Sequence, residues 1–211
     1  MAREGVGPRV EKLRSVVDNR TPTGELLAHA RVEAERYGLD DYFVVDADSH
    51  REPTANWSEV IEYIENPVIR RNSRAHHELD SRRHAYVAAA SPVGFNWQAM
   101  FGRIAHEANQ QFEPVTDATT YREVVLARRA MDAMGIDVQV IFPTVLLGMG
   151  MSPVAEGEAQ IAYAYDKWFI ENVCTAEARI KFMPYLPLRS PEMCVRIIEE
   201  TAGARAWSAT W

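Results

Sequence analysis

Asp48 and His50 stand two residues apart in Asp46-Ala47-Asp48-Ser49-His50. On an extended chain that spacing projects both side chains to one side of the strand. A carboxylate oxygen and an imidazole nitrogen on one rigid element form half a coordination shell for a divalent metal, Zn²⁺, Mn²⁺ or Fe²⁺. A metal held there would lower the pKa of bound water or polarise a substrate oxygen. The plainer alternative has Asp48 capping the loop or helix that follows and His50 bonded to backbone. Glu52 keeps the same parity if the chain stays extended, which makes it a third ligand or an acid/base; the competing reading has Pro53 already marking a turn. Asp46 lies deeper in the strand and reads as structural support.

Other groups are less specific. His76, His77 and His84 cluster among Arg70, Arg71, Arg74, Arg82 and Arg83, a pattern better suited to a surface or interface patch than to the alternative lid, substrate or second-metal roles. His106 beside Glu107 fits a polar position on a short helix. Thr144 can offer a hydroxyl after Phe142-Pro143, and Leu186-Pro187 reads as wall on the same rim. Gly148-Met149-Gly150-Met151 reads as a flexible loop over that rim. The sequence has no Gly-rich phosphate loop, GxSxG elbow, HExxH motif or paired-cysteine metal motif.

These residues need elements to hold them. Val10, Leu13 and Val17, then Leu27, Ala30, Ala34 and Tyr37 with Gly38 as terminator, outline two amphipathic helices, an N-terminal helical extension over 1–40. Tyr42-Phe43-Val44-Val45 predicts a strand at about 42–46, buried on both faces, running straight into the charged segment. Trp57, Val60, Ile61 and Ile64 predict a short helix stopped around Pro67. Residues 67–118 show no sustained period and read either as holding short helices, such as 97–109, or as an insertion above a site. Thr120-Tyr121-Arg122-Glu123 has capping-box spacing ahead of Val124, Ala127, Met131 and Met134, with Gly135 closing the helix. A strand at 138–142, a helix over 157–176, a strand at 180–185 and a helix after Ser190-Pro191-Glu192 complete the pattern.

Alternation of this kind predicts a parallel α/β fold. Functional groups then gather at the C-terminal ends of the strands. The 211 residues carry 47% apolar and 25% charged residues, which excludes a mostly disordered chain. A formal charge of −7 argues against nucleic acid as the main partner. No apolar run is long enough to span a bilayer, and the first residues do not show the apolar core expected of a secretory signal. Cys174 and Cys194 have no paired spacing and read as reduced packing residues. The cytoplasm is the expected compartment.

Three segments together resemble the amidohydrolase-related family that includes aminocarboxymuconate-semialdehyde decarboxylase. They are Val45-Asp46-Ala47-Asp48-Ser49-His50-Arg51-Glu52-Pro53, the stretch Met131 to Thr144 (MDAMGIDVQVIFPT), and the stretch Arg179 to Glu192 (RIKFMPYLPLRSPE). The resemblance implies a distorted (β/α)₈ TIM-like barrel and a metal-dependent hydrolase or nonoxidative decarboxylase acting on a small molecule. It assigns Asp48 and His50 as the first-strand metal pair, although some branches place His where Asp48 stands. The expected fold is therefore the N-terminal portion of such a barrel, 41–211, incomplete, with an insertion at about 67–118. The family's later histidine and aspartate ligands are not found, so the chain reads as truncated. A homo-oligomer or a partner subunit would cover its open barrel edge. The Asp-x-His pair followed by Glu-Pro is also similar to nonheme di-iron oxygenases, in which Glu52 or His76/His77 would serve a second iron. The third alternative is a noncatalytic subunit or inactive fragment.

Overall fold

The computed structural model describes residues 23–51, 56–77, 115, 119–143, 146, 149–151 and 153–202. The helix expected around Val10–Val17 lies outside them. Helix α1 (Thr23–Arg36) ends at Gly38, whose φ of 63° is left-handed. A 3₁₀ turn at Leu39–Asp41 leads to strand β1 (Val45–Arg51). Then come α2 (Trp57–Glu62), α3 (67–77) and α4 (Arg122–Met134). Strand β2 (Val138–Pro143) follows, then α5 (Ala155–Phe169), which continues as a π-helical turn at Ile170–Cys174. Strand β3 (Ile180–Phe182) and α6 (Pro191–Thr201) complete the described chain.

The three strands form one parallel sheet in the order β1-β2-β3. Its two faces differ. Along β2 burial alternates, with Gln139 and Ile141 enclosed and Val138, Val140 and Phe142 half-buried. The apolar sides of α2, α4 and α5 gather with Ile141, Ile180 and Phe182 in one cluster. Rings stack through it: Phe169 lies 4.5 Å from Phe182 and 5.9 Å from Tyr165. Fully burying side chains of this size stabilises by about 1.5–3 kcal/mol each. Helix α6 packs on α5 through Ile197, Ala162 and Tyr163, and α1 lies along α4.

Several expectations are corrected. Strand β1 starts at Val45 and runs through the charged segment, so Asp46, Asp48 and His50 lie within it. Tyr42 and Phe43 are 68% and 62% exposed and precede the ladder. The chain joins the sheet at Val44, whose N–H donates to Asp137 Oδ2 (2.7 Å) and whose carbonyl accepts from Asp137 N–H (2.9 Å). The expected burial on both faces fails for that reason. Strand β3 ends at Phe182: Met183 N–H makes the last bond, to Ile141 O, and Pro184 has no N–H to donate. Tyr37, read as part of the apolar face of the second helix, lies just past the end of α1 and is 59% exposed.

Pro67 begins a helix. Asn66 Oδ1 accepts from the N–H groups of Val68 (3.0 Å) and Ile69 (3.2 Å), an N-cap with proline in the first helical position. Residues 67–77, read as irregular, are helical as a result. Helix α4 is capped by Tyr121 and α6 by Ser190, and neither side chain makes a cap bond. The capping box at Thr120 is thus not formed.

Gly135 closes α4 at a φ of 66°, and a Cβ there would stand 3.2 Å from the Leu39 Cβ. Gly157, inside α5, has only ordinary contacts available at 3.8 Å. Gly135→Ala is expected to lower unfolding stability by about 1–2 kcal/mol, while Gly157→Ala raises it by about 0.5–1 kcal/mol. Urea denaturation checks both; equal effects would refute the conformational assignment.

Candidate functional site

The C-terminal half of β1 carries the candidate residues. Asp48 Oδ1 and His50 Nε2 are 3.2 Å apart. His50 lies opposite Phe142 on β2, ring centroids 5.7 Å apart and nearly parallel at 27°. Phe142 belongs to the half-buried face, so the pair stands on that face near the C-terminal ends of β1 and β2. The His50 side chain is 29% exposed and Asp48 78%, which leaves the carboxylate open to solvent and the imidazole sheltered by the phenyl ring.

Asp46 faces the other way. Its Oδ2 accepts from Ser49 Oγ (2.7 Å) and from Gln139 Nε2 (3.2 Å), and its Oδ1 accepts from the Asp48 N–H (3.2 Å). Ser49 and Gln139 are both buried on the helix-covered side.

Whether this pair suits a metal can be tested from its spacing. Two ligands about 2.0–2.1 Å from one tetrahedral Zn²⁺ stand about 3.3 Å from each other. The observed 3.2 Å is compatible with that edge and is equally the length of the hydrogen bond that joins the imidazole and the carboxylate. Among the described residues no third His, Cys, Asp or Glu joins them. His76 and His77, on α3, do not enter such a group. Glu52, His84, His106 and Thr144 lie outside the described residues.

The remaining rim expectations change. Leu186 packs beside Ala162, Tyr163 and Ile197, and the Pro187 carbonyl accepts from Cys194 Sγ at 3.2 Å, so Leu186-Pro187 serves α6. Met149–Met151 is a 3₁₀ turn, and a Cβ on Gly150 would stand 3.4 Å from the Tyr185 hydroxyl. The Cys174 and Cys194 thiols are free and buried. Burial pushes Cys174 up to about 12.

Three buried polar groups on α5 escaped the sequence reading. Glu158 accepts from Tyr185 Oη (2.8 Å) and from the Arg189 guanidinium (Nε, 2.8 Å). Desolvation, which would raise its pKa, is outweighed by those two donors, and the carboxyl titrates below its usual range. Gln160 Oε1 accepts from the N–H groups of Glu65 and Asn66. Asp166 Oδ1 accepts from the Tyr185 N–H (3.2 Å), while its Oδ2 has no hydrogen-bond partner among the described residues. Hydrophobic spacing hides such residues because a helix buried on most sides carries its polar anchors at core positions. Gln139 had a visible signal: an amide within Val138-Gln139-Val140-Ile141-Phe142 at the parity of Ile141.

No family model matches the chain, and no curated protein or solved structure matches it either. Among the described residues no helix is long and apolar enough to cross a membrane.

Burial holds the Asp166 carboxyl well above the ordinary range, only partly opposed by the Tyr185 N–H. The folded chain therefore keeps a proton that the unfolded chain releases above about pH 4. With more protons bound in the folded state, this group's contribution to stability falls as pH rises from about 4 toward the folded pKa. Asp166→Asn keeps an acceptor for the Tyr185 N–H and is expected to flatten that fall. Urea midpoints measured at several pH values check it; a variant that tracks the parent chain across that range would contradict the assignment.

Proposed function

We propose that the chain is part of a metal-dependent hydrolase or nonoxidative decarboxylase of the amidohydrolase-related kind, acting on a small molecule. The observation that carries this reading is the Asp48–His50 pair, two donors 3.2 Å apart near the C-terminal end of a parallel strand. That is where parallel α/β folds gather their functional groups. A divalent ion (Zn²⁺, Mn²⁺ or Fe²⁺) bound there would supply a water of lowered pKa and an electrophile for a substrate oxygen.

The chain's own residues have distinct parts in this reading. Asp48 and His50 would hold the ion through the carboxylate and the imidazole. Phe142 keeps the imidazole plane in place and shields it from water on one side. Glu52, two residues beyond His50, takes or returns a proton at its carboxylate.

The same proposal makes the sheet the opening of a (β/α)₈ barrel. Two features support it: the strands follow in sequential order, and helices gather against one face of the sheet. A doubly wound sheet instead reverses its strand order at a switch point. The outer edges of β1 and β3 are unpaired among the described residues and would take further strands or a partner subunit. A cytoplasmic setting accords with the two free thiols.

Isothermal titration of the full chain with Zn²⁺ tests the site. His50→Ala and Asp48→Asn are each expected to weaken binding at least about tenfold, since each removes one of a small number of ligands. His76→Ala should leave it unchanged. Absent binding, or affinity indifferent to both site variants, would refute the proposal.

A further inference from the structure

Strand β1 contains one residue more than its partner across the candidate site. Asp46 pairs with Gln139 and Ser49 with Ile141, so three steps on β1 match two on β2. This is a β-bulge, and it contains Asp48 and lies directly ahead of His50. Its consequence follows from the two-residue period of a strand. A straight ladder continuing from Asp46–Gln139 would set Asp48 beside Ile141 and His50 beside Pro143. Both would then lie on the face covered by helices, where Ile141 is wholly enclosed. The extra residue shifts the parity by one. Ser49 takes the inward place beside Ile141, and His50 stands beside Phe142 on the half-buried face.

We propose that Asp46 is a positioning residue whose carboxylate clasps this bulge and so decides which face of the sheet Asp48 and His50 occupy. Three bonds make the clasp. Asp46 Oδ1 accepts from the N–H of Asp48, inside the bulge, where the regular ladder is interrupted. Asp46 Oδ2 accepts from Ser49 Oγ, which draws residue 49 to the same side as residue 46. Gln139 Nε2 donates to that same oxygen and anchors the clasp to β2 from a site 2% exposed. The importance of the arrangement for metal binding rests on the function proposed above; the bulge itself does not.

The bonding pattern predicts which substitutions are tolerated. Asp46→Ala removes all three acceptor bonds. Asp46→Asn can keep one and replace the other two with bonds of reversed direction: the new amide oxygen accepts from Asp48 N–H, and its nitrogen donates to Ser49 Oγ and Gln139 Oε1. That last bond needs the Gln139 amide to reverse, and its Oε1 has no hydrogen-bond partner among the described residues. A role resting on negative charge alone would make the two variants equally damaging.

The experiment uses the full chain and two readouts. The first is metal-free: NMR cross-peaks between the His50 and Phe142 rings, which report the face that His50 occupies. The second is Zn²⁺ affinity by calorimetry. Asp46→Ala should lose the ring contacts and bind Zn²⁺ at least about tenfold more weakly, the usual effect of removing a group that orients a ligand. Asp46→Asn should retain the contacts and most of the affinity. Retained ring contacts in folded Asp46→Ala, or equal loss in both variants, would overturn the proposal. If Asp46→Ala does not fold, Ser49→Ala carries the test: weakened ring contacts support the clasp, and unchanged contacts overturn it. A parent chain that binds no Zn²⁺ refutes the metal reading alone, because the ring contacts still test the clasp.

Discussion

Strand β2 pairs on both edges, and the described structure is organised around that double pairing. Parallel strands cannot be joined by a tight turn, so each connection must travel back along the sheet, usually as a helix. Here α2, α4 and α5 bring their apolar sides to the same face, and Ile141 becomes wholly buried beneath them. The entry of β1 is set by the same strand region, since Asp137 holds the backbone of Val44 just before β2 begins. The opposite face keeps Val138, Val140 and Phe142 half-buried, and that asymmetry leaves room for polar chemistry beside an apolar core.

Helix α5 shows how the core tolerates polar atoms. Glu158, Gln160 and Asp166 are all buried, and each is bonded to a connection between elements. Glu158 holds Tyr185 and Arg189 in the segment after β3, Gln160 receives the backbone of Glu65 and Asn66 after α2, and Asp166 receives that of Tyr185. Loop backbone needs hydrogen-bond partners wherever water is excluded. One central helix supplies several of them, which ties the chain's connections to its core.

The bulge in β1 links this architecture to the candidate site. Burying both Asp48 and His50 beneath the helices would strip water from a carboxylate and an imidazole without enough partners to compensate. The extra residue avoids that cost by giving Ser49, a small side chain with one hydroxyl, the enclosed position. Asp46 remains on the helix-covered side, where two side-chain donors and a backbone N–H meet it.

Much of this was legible in the sequence. The apolar periods of α1, α4, α5 and α6, the glycine stops at Gly38 and Gly135, and the parallel α/β class follow from residue spacing, because helix faces and left-handed turns are local properties. The proximity of Asp48 to His50 was equally local, since residues two apart on a strand share a side. What lay beyond the sequence depended on contacts between distant segments. The start of β1 is set by Asp137, 93 positions beyond Val44. The end of β3 depends on where Ile141 O takes its last donor. The helix after Pro67 was locally encoded by Asn66 but obscured by reading proline as a stop. The face on which Asp48 and His50 stand was the tertiary structure's decision, because a bulge exists only in the register between two strands, and one residue of register reverses every side chain beyond it.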